Sequence, residues 1–178
     1  REQLRFKYIV EGANLFISQD ARIALERCGV VLIKDSSANK GGVTSSSVEV
    51  YAGMALSDEQ HAEHMCVRDS RHPPKFYQDL KQDIIARVEQ NATMEFECIW
   101  RDSQSGKNEG LKTLISDELS RKIVSMVEFI HDSNLYEDKA LFRYVIHDYT
   151  PKTLFTVVSL DDIFARVPEN YLRAIFAK

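Results

Sequence analysis

Apolar residues follow two rhythms along this chain. Early on they come as short unbroken runs, Phe6-Lys7-Tyr8-Ile9-Val10 and Val30-Val31-Leu32-Ile33, each closed by polar residues. Runs of this length, rich in aromatic and β-branched residues, read as strands, and unbroken ones read as strands covered on both faces. Between them Ser18 is placed to cap a helix, with Asp20 in the first turn and Ile23 and Leu25 as apolar positions. Gly29 then falls where a helix C-terminus favours glycine. Strand, helix and strand, with both strands buried, make a βαβ crossover and so imply a parallel sheet.

A polar loop from Asp35 to Gly42 follows, then a helix from Val43 to about Leu56. Ser57-Asp58-Glu59-Gln60 is a capping box opening a further short helix. His72-Pro73-Pro74 breaks the pattern, dividing the chain into residues 1–72 and a helical extension, 73–178. Past that point Phe76, Leu80, Ile84 and Val88 recur every four residues. Ile85, Met94, Phe96, Ile99 and Trp100 widen the stripe into one long helix, with Phe96 and Trp100 expected in a core.

Ser103 to Gly110 reads as a polar loop. Leu119, Ile123, Met126, Val127 and Ile130 mark the next helix, and Leu141, Phe142, Val145 and Ile146 another that stops at Tyr149-Thr150-Pro151. Ser159 caps a segment through Val167, and a last helix from Pro168 carries Leu172, Ile175 and Phe176.

Charge and cysteine usage narrow the function classes. A net charge of −4 gives no support for a nucleic-acid surface or a polybasic membrane contact. No apolar run approaches the length of a membrane span. The opening Arg1-Glu2-Gln3-Leu4-Arg5 is too charged for a signal peptide, and a start at Arg1 is expected of a chain either processed or cut from something longer. Cys28, Cys66 and Cys98 lack framework spacing and are expected as free thiols in a reducing compartment, Cys28 packed against the sheet. The cytoplasm is the expected location, with the mitochondrion as the other reading.

Ligands of open parallel sheets bind beyond the carboxyl ends of the strands. Two polar loops sit there: Glu11-Gly12-Ala13-Asn14 and Asn39-Lys40-Gly41-Gly42. Each supplies an Asn, whose side chain donates and accepts and so suits a carboxamide or a sugar hydroxyl. Gly41-Gly42 precedes a helix whose first-turn N–H groups favour an anion, and Thr44-Ser45-Ser46-Ser47 lies in that turn. Successive helical residues point about 100° apart, so at most one or two of these hydroxyls face one ligand. On spacing alone the same residues are also ordinary turn and cap formers.

Other groups carry less. His61 and His64 stand three apart near Cys66, without the further convergent ligands of a zinc site, and read as a solvated helix. His131 and His147 fall near helix ends, where they complement the dipole, and Asp161-Asp162 reads as a helix start. No GxGxxG occurs, so the pyrophosphate turn of a dinucleotide fold is not among these residues.

Ile9-Val10-Glu11-Gly12-Ala13-Asn14, then Val31-Leu32-Ile33-Lys34-Asp35, then Ala38-Asn39-Lys40-Gly41-Gly42-Val43-Thr44-Ser45-Ser46-Ser47 resembles the glutamate dehydrogenase superfamily. Small members carry EGANGP and NAGGVTVS; here EGANLF and NKGGVTSSS stand instead, as in the large NAD-specific class. The motifs cover about the first third of the chain, and Glu95-Phe96-Glu97-Cys98-Ile99-Trp100 resembles that class's carboxyl-terminal extension.

The resemblance implies the terminal βαβ portion of a Rossmann-type α/β sheet, followed by a mostly α-helical extension. It implies NAD as cofactor, L-glutamate and 2-oxoglutarate as substrates, and a homo-oligomer completed by amino-terminal domains that hold the catalytic Lys and Asp. Gly12, Asn14 and Asn39 would sit at the nicotinamide-ribose end; Val43 would line the substrate cleft and Ser46 would bind the substrate's side-chain carboxylate. Lys40 replaces an alanine of the small enzymes and is expected to be solvated or to contact a phosphate. The isolated chain is expected to be inactive. A non-catalytic helical module with a Rossmann remnant, or a dehydrogenase of another amino acid, are the competing readings.

Overall fold

The computed structural model describes residues 5–178; residues 1–4, part of the charged opening segment, lie outside that range. Strand β1 (Tyr8–Val10), helix α1 (Gln19–Arg27) and strand β2 (Val31–Ile33) form the expected βαβ unit. The strands pair in parallel, Tyr8 opposite Val31, Ile9 opposite Leu32 and Val10 opposite Ile33. Among the described residues this two-stranded sheet stands in an otherwise mostly helical chain.

Local chemistry explains the ends of α1. The Ser18 hydroxyl accepts from the Ala21 N–H, as expected of its N-cap. At the other end Gly29 takes φ 91°. That left-handed turn lets the Gly29 N–H reach the Glu26 carbonyl at 2.9 Å and the Val30 N–H reach Leu25 at 3.1 Å, closing the helix before β2 starts. Cys28, one residue earlier, is exposed rather than packed on the sheet; the tight turn leaves it on the outside.

After β2 the expected loop contains a short helical turn, α2 (Asp35–Ala38), and α3 (Gly41–Ala55) starts at the first glycine of the pair rather than at Val43. The chain continues through α4 (Asp58–His64), α5 (Lys75–Gln104), α6 (Lys112–His131), α7 (Lys139–Tyr149), α8 (Leu160–Arg166) and α9 (Glu169–Phe176). The Ser57–Gln60 capping box opens α4, and a matching box of Ser159 and Asp162 opens α8. Asp138, unremarked in the sequence, caps α7 by accepting from the Ala140 and Leu141 N–H groups. Among the described residues no helix is long and apolar enough to cross a membrane.

The chain divides into two compact units. The first, residues 1–42 with 88–124, holds the βαβ unit, and buries Val30, Leu32, Ile33, Ile99, Leu111 and Ile115. Burial on both faces holds for β2, where Leu32 is fully buried, and fails for β1, where Tyr8 and Val10 are 71% and 69% exposed. An unbroken apolar run shows what a strand needs covered, not which segment covers it. Phe96 and Trp100 are likewise not core residues: both stay partly exposed, stacked on each other at 5.8 Å, with the Lys112 ammonium 5.4 Å from the Trp100 ring.

The second unit, residues 43–87 with 125–178, has one apolar core drawn from α3, the start of α5 and the last three helices. Tyr51 is fully buried in it, edge-on to Tyr149 and stacked with Tyr171. The Thr150 hydroxyl donates to the Ile146 carbonyl at 2.7 Å, so Tyr51 is the donor in the 2.8 Å bond between the two hydroxyls.

Candidate functional site

The loop after β1 begins at Glu11, which extends the strand pairing by donating its N–H to the Ile33 carbonyl at 3.0 Å. Its carboxylate turns inward to Arg22 of α1, which forks onto it with two bonds of 2.7 Å. The same guanidinium reaches Asp35, the first residue of α2 just beyond the second strand, at 3.1 Å. All three are nearly sealed from water. Two buried carboxylates facing one cation leave a net negative charge, which is costly unless further donors are supplied. Backbone N–H groups supply them: Leu15 donates to Oδ2 and Ser36 to Oδ1 of Asp35, each at 2.7 Å.

Burial alone would raise the Asp35 carboxyl, but these two N–H groups and the Arg22 charge outweigh it and hold it below the usual carboxylate range. Arg22 is pushed the other way, chiefly by its hydrogen bond to Glu11. The ion triad thus ties the carboxyl ends of both strands to one helix.

Its effect is to bring the two loop asparagines together. Asn39 caps α2, with its N–H on the Asp35 carbonyl at 2.7 Å, and its side-chain amide donates to Asn14 Oδ1 at 3.1 Å. Both side chains are exposed. With that bond made, the Asn14 amide still carries N–H donors and Asn39 Oδ1 is an acceptor, so the pair offers both polarities side by side. A Cβ placed on Gly12 would meet nothing within 4 Å, so packing within this chain does not require glycine there.

Val43 and Ser46 belong to the other unit. They lie one turn apart on α3, Val43 77% exposed, with the Ser46 hydroxyl donating to the Val43 carbonyl at 3.3 Å.

Lys40 is neither solvated nor directed at an open phosphate site. Its ammonium pairs with Glu95 of α5 at 2.5 Å, and both side chains are largely covered. Elsewhere, His61 Nδ1 lies 3.9 Å from Cys66 Sγ, and His64 packs its ring on Phe76 at 5.2 Å. Among the described residues no group of three or more His, Cys, Asp and Glu side chains is arranged to hold a metal ion.

The profile of the glutamate/leucine/phenylalanine/valine dehydrogenase family matches residues 1–106. The chain belongs to that family. It is 48% identical over 172 residues to Glutamate dehydrogenase 2 of Dictyostelium discoideum, covering 97% of this chain and 16% of that protein. It is 45% identical over 170 residues to the NAD-specific glutamate dehydrogenase of Neurospora crassa, covering 95% of this chain and 16% of the relative. To the NAD-specific glutamate dehydrogenase of Saccharomyces cerevisiae it is 36% identical over 176 residues, again 97% of this chain and 16% of the other. The chain therefore spans about a sixth of the length of these relatives. No solved structure matches it.

Membership of the family sharpens one local feature. Leu15 stands where the EGANGP motif of small members has glycine, and it adopts φ 56°, a conformation glycine takes freely and leucine rarely does. The short bond from its N–H to Asp35 holds it there. In the sequence Leu15 and Asp35 stand out only as motif and loop residues, and Arg22 not at all. The available signal was charge beside buried strands: Glu11 and Asp35 both follow apolar runs where an unpaired carboxylate would be costly.

Proposed function

We propose that this chain forms the cofactor-side wall of the active cleft in a large NAD-dependent glutamate dehydrogenase, oxidising L-glutamate to 2-oxoglutarate and ammonium. Residues 1–72 complete its Rossmann-type NAD-binding domain, and residues 73–178 form a helical carboxyl-terminal extension. The single observation that carries this reading is the Asn39–Asn14 hydrogen bond beyond the carboxyl ends of two parallel strands. Paired carboxamides suit the nicotinamide carboxamide and its ribose, each of which needs donors and acceptors together. Gly12 lets the cofactor approach the backbone.

Val43 lines the substrate cleft, and Ser46 donates to the side-chain carboxylate of glutamate. The names of the relatives supply NAD and glutamate. The catalytic Lys and Asp, the pyrophosphate turn and the remaining sheet come from amino-terminal domains of the same polypeptide, which assembles as a homo-oligomer in the cytoplasm. Hydride transfer needs substrate and cofactor held in register by both domains, so the chain alone turns nothing over.

The test uses the full-length enzyme. Asn39→Ala and Asn14→Ala raise KM for NAD, and Ser46→Ala raises KM for glutamate while leaving NAD binding intact. Wild-type kinetics in all three variants would discard the assignment, as would glutamate-dependent NADH formation by residues 1–178 alone.

A further inference from the structure

Residues 34–40 join β2 to the glycine pair and carry Asn39. A segment of this length made of turn-forming residues has many conformations, and holding one of them costs entropy. Three contacts inside the first unit restrict it. Lys34 Nζ meets Asp117 Oδ1 at 2.5 Å, and the Ser37 and Ser116 hydroxyls lie 2.6 Å apart with both residues buried. Lys40, immediately after Asn39, meets Glu95 at 2.5 Å.

All three partners, Glu95, Ser116 and Asp117, belong to α5 and α6, beyond the Pro73-Pro74 break. Lys40 itself is a departure from the alanine of the small-enzyme motif. A lysine at that place suggests a phosphate contact, but its charge is matched internally by a carboxylate only 12% exposed.

We propose that Lys40 and Glu95 are positioning residues for the cofactor loop, the extension bracing Asn39 against Asn14 before NAD arrives. A contact held in its bound geometry avoids the ordering cost at binding, so the pair strengthens cofactor affinity without touching the cofactor. The inference rests on reading Asn14 and Asn39 as nicotinamide-side contacts.

The experiment is a double-mutant cycle in the full-length enzyme, with NADH affinity measured by the fluorescence of bound NADH, together with kcat, KM for NAD and the thermal midpoint. Lys40→Met and Glu95→Gln each weaken NADH binding by about three- to tenfold with kcat kept within about twofold. The double variant is no weaker than the worse single one. The charge-reversed pair Lys40→Glu with Glu95→Lys recovers affinity lost by either reversal alone, a rescue that a general loss of stability does not produce.

Single variants that bind NADH like wild type, or effects that simply add, overturn the proposal. Asn39→Ala separates the two failures. If it weakens NADH binding and the Lys40 and Glu95 variants do not, the brace alone is wrong. If Asn39→Ala leaves NADH binding unchanged, the cofactor reading and the brace fall together.

Discussion

Arg22 lies fork-on to Glu11, Nε to Oε1 and Nη2 to Oε2, both at 2.7 Å and both residues buried. Bidentate geometry makes this a strong form of ion pair, and removing the cation would strand two buried carboxylates, Glu11 and Asp35. Arg22→Met should therefore destabilise the fold by about 3–5 kcal/mol. Hydrogen–deuterium exchange in the full-length protein checks this locally: residues 12–17 and 35–40 should lose protection together. Unchanged exchange in both segments would show that the triad does not hold the loops.

Asp35 predicts an acid response. Its carboxyl is held below the ordinary 3.8 despite burial, so it favours the fold when ionised. That stability is fully present above the ordinary value and is lost as pH falls through the lower folded value. Asp35→Asn should be less stable near neutrality, with a gap to wild type that narrows below about pH 4. Thermal midpoints of both proteins across that range decide it; a gap independent of pH would mean that ionisation of Asp35 is not the linkage.

Leu15 predicts an unusual tolerance. A left-handed leucine costs about 1–2 kcal/mol, which glycine would recover in part while adding freedom to the unfolded chain. Leu15→Gly should be neutral to mildly stabilising, and Leu15→Val, β-branched at φ 56°, should lower stability by about 1 kcal/mol or more. Denaturant midpoints of the two variants should move in opposite directions or differ clearly; equal losses would point to the exposed side chain rather than the backbone.

Burial pushes the Tyr51 phenol up to about 12, against the opposing hydrogen bond with Thr150. The folded state therefore keeps the proton that an unfolded tyrosine releases near 10.0. Stability from this group is complete below that value and declines as pH rises toward about 12. Tyr51→Phe should cost about 1 kcal/mol at neutral pH, and the cost should shrink in alkali. Burial also raises Tyr149 and Tyr171, so ultraviolet titration should show several late-ionising tyrosines in wild type and one fewer in the variant.

The sequence made the βαβ unit, the capping boxes and the later helices legible because each depends on neighbours in the chain: Ser18 on Ala21, Ser57 on Gln60, Ser159 on Asp162. Asn14 and Asn39 were readable as loop residues, and the structure adds that they touch. What was illegible depends on partners far along the chain. Nothing local to Lys40 announces Glu95, and nothing local to Tyr8 says that its face stays open. Trp100 looked like core because size and apolarity resemble core, yet it is stacked on Phe96 at the surface.

Glu26 of α1 turns its carboxylate onto the start of α6, accepting from the Lys112 N–H at 2.8 Å and the Thr113 N–H at 3.0 Å. The first turn of α6 is thus finished by a side chain from the βαβ unit. Such sharing limits how this chain can be recombined with a relative. A chimaera that joins residues 1–72 of this chain to the later residues of a relative must keep Asp117, Ser116 and Glu95, the side-chain partners of Lys34, Ser37 and Lys40, whereas Glu26 needs only the main-chain N–H groups of a helix start. Without those side chains, two ammonium groups and a hydroxyl would be left addressed to partners that are no longer there.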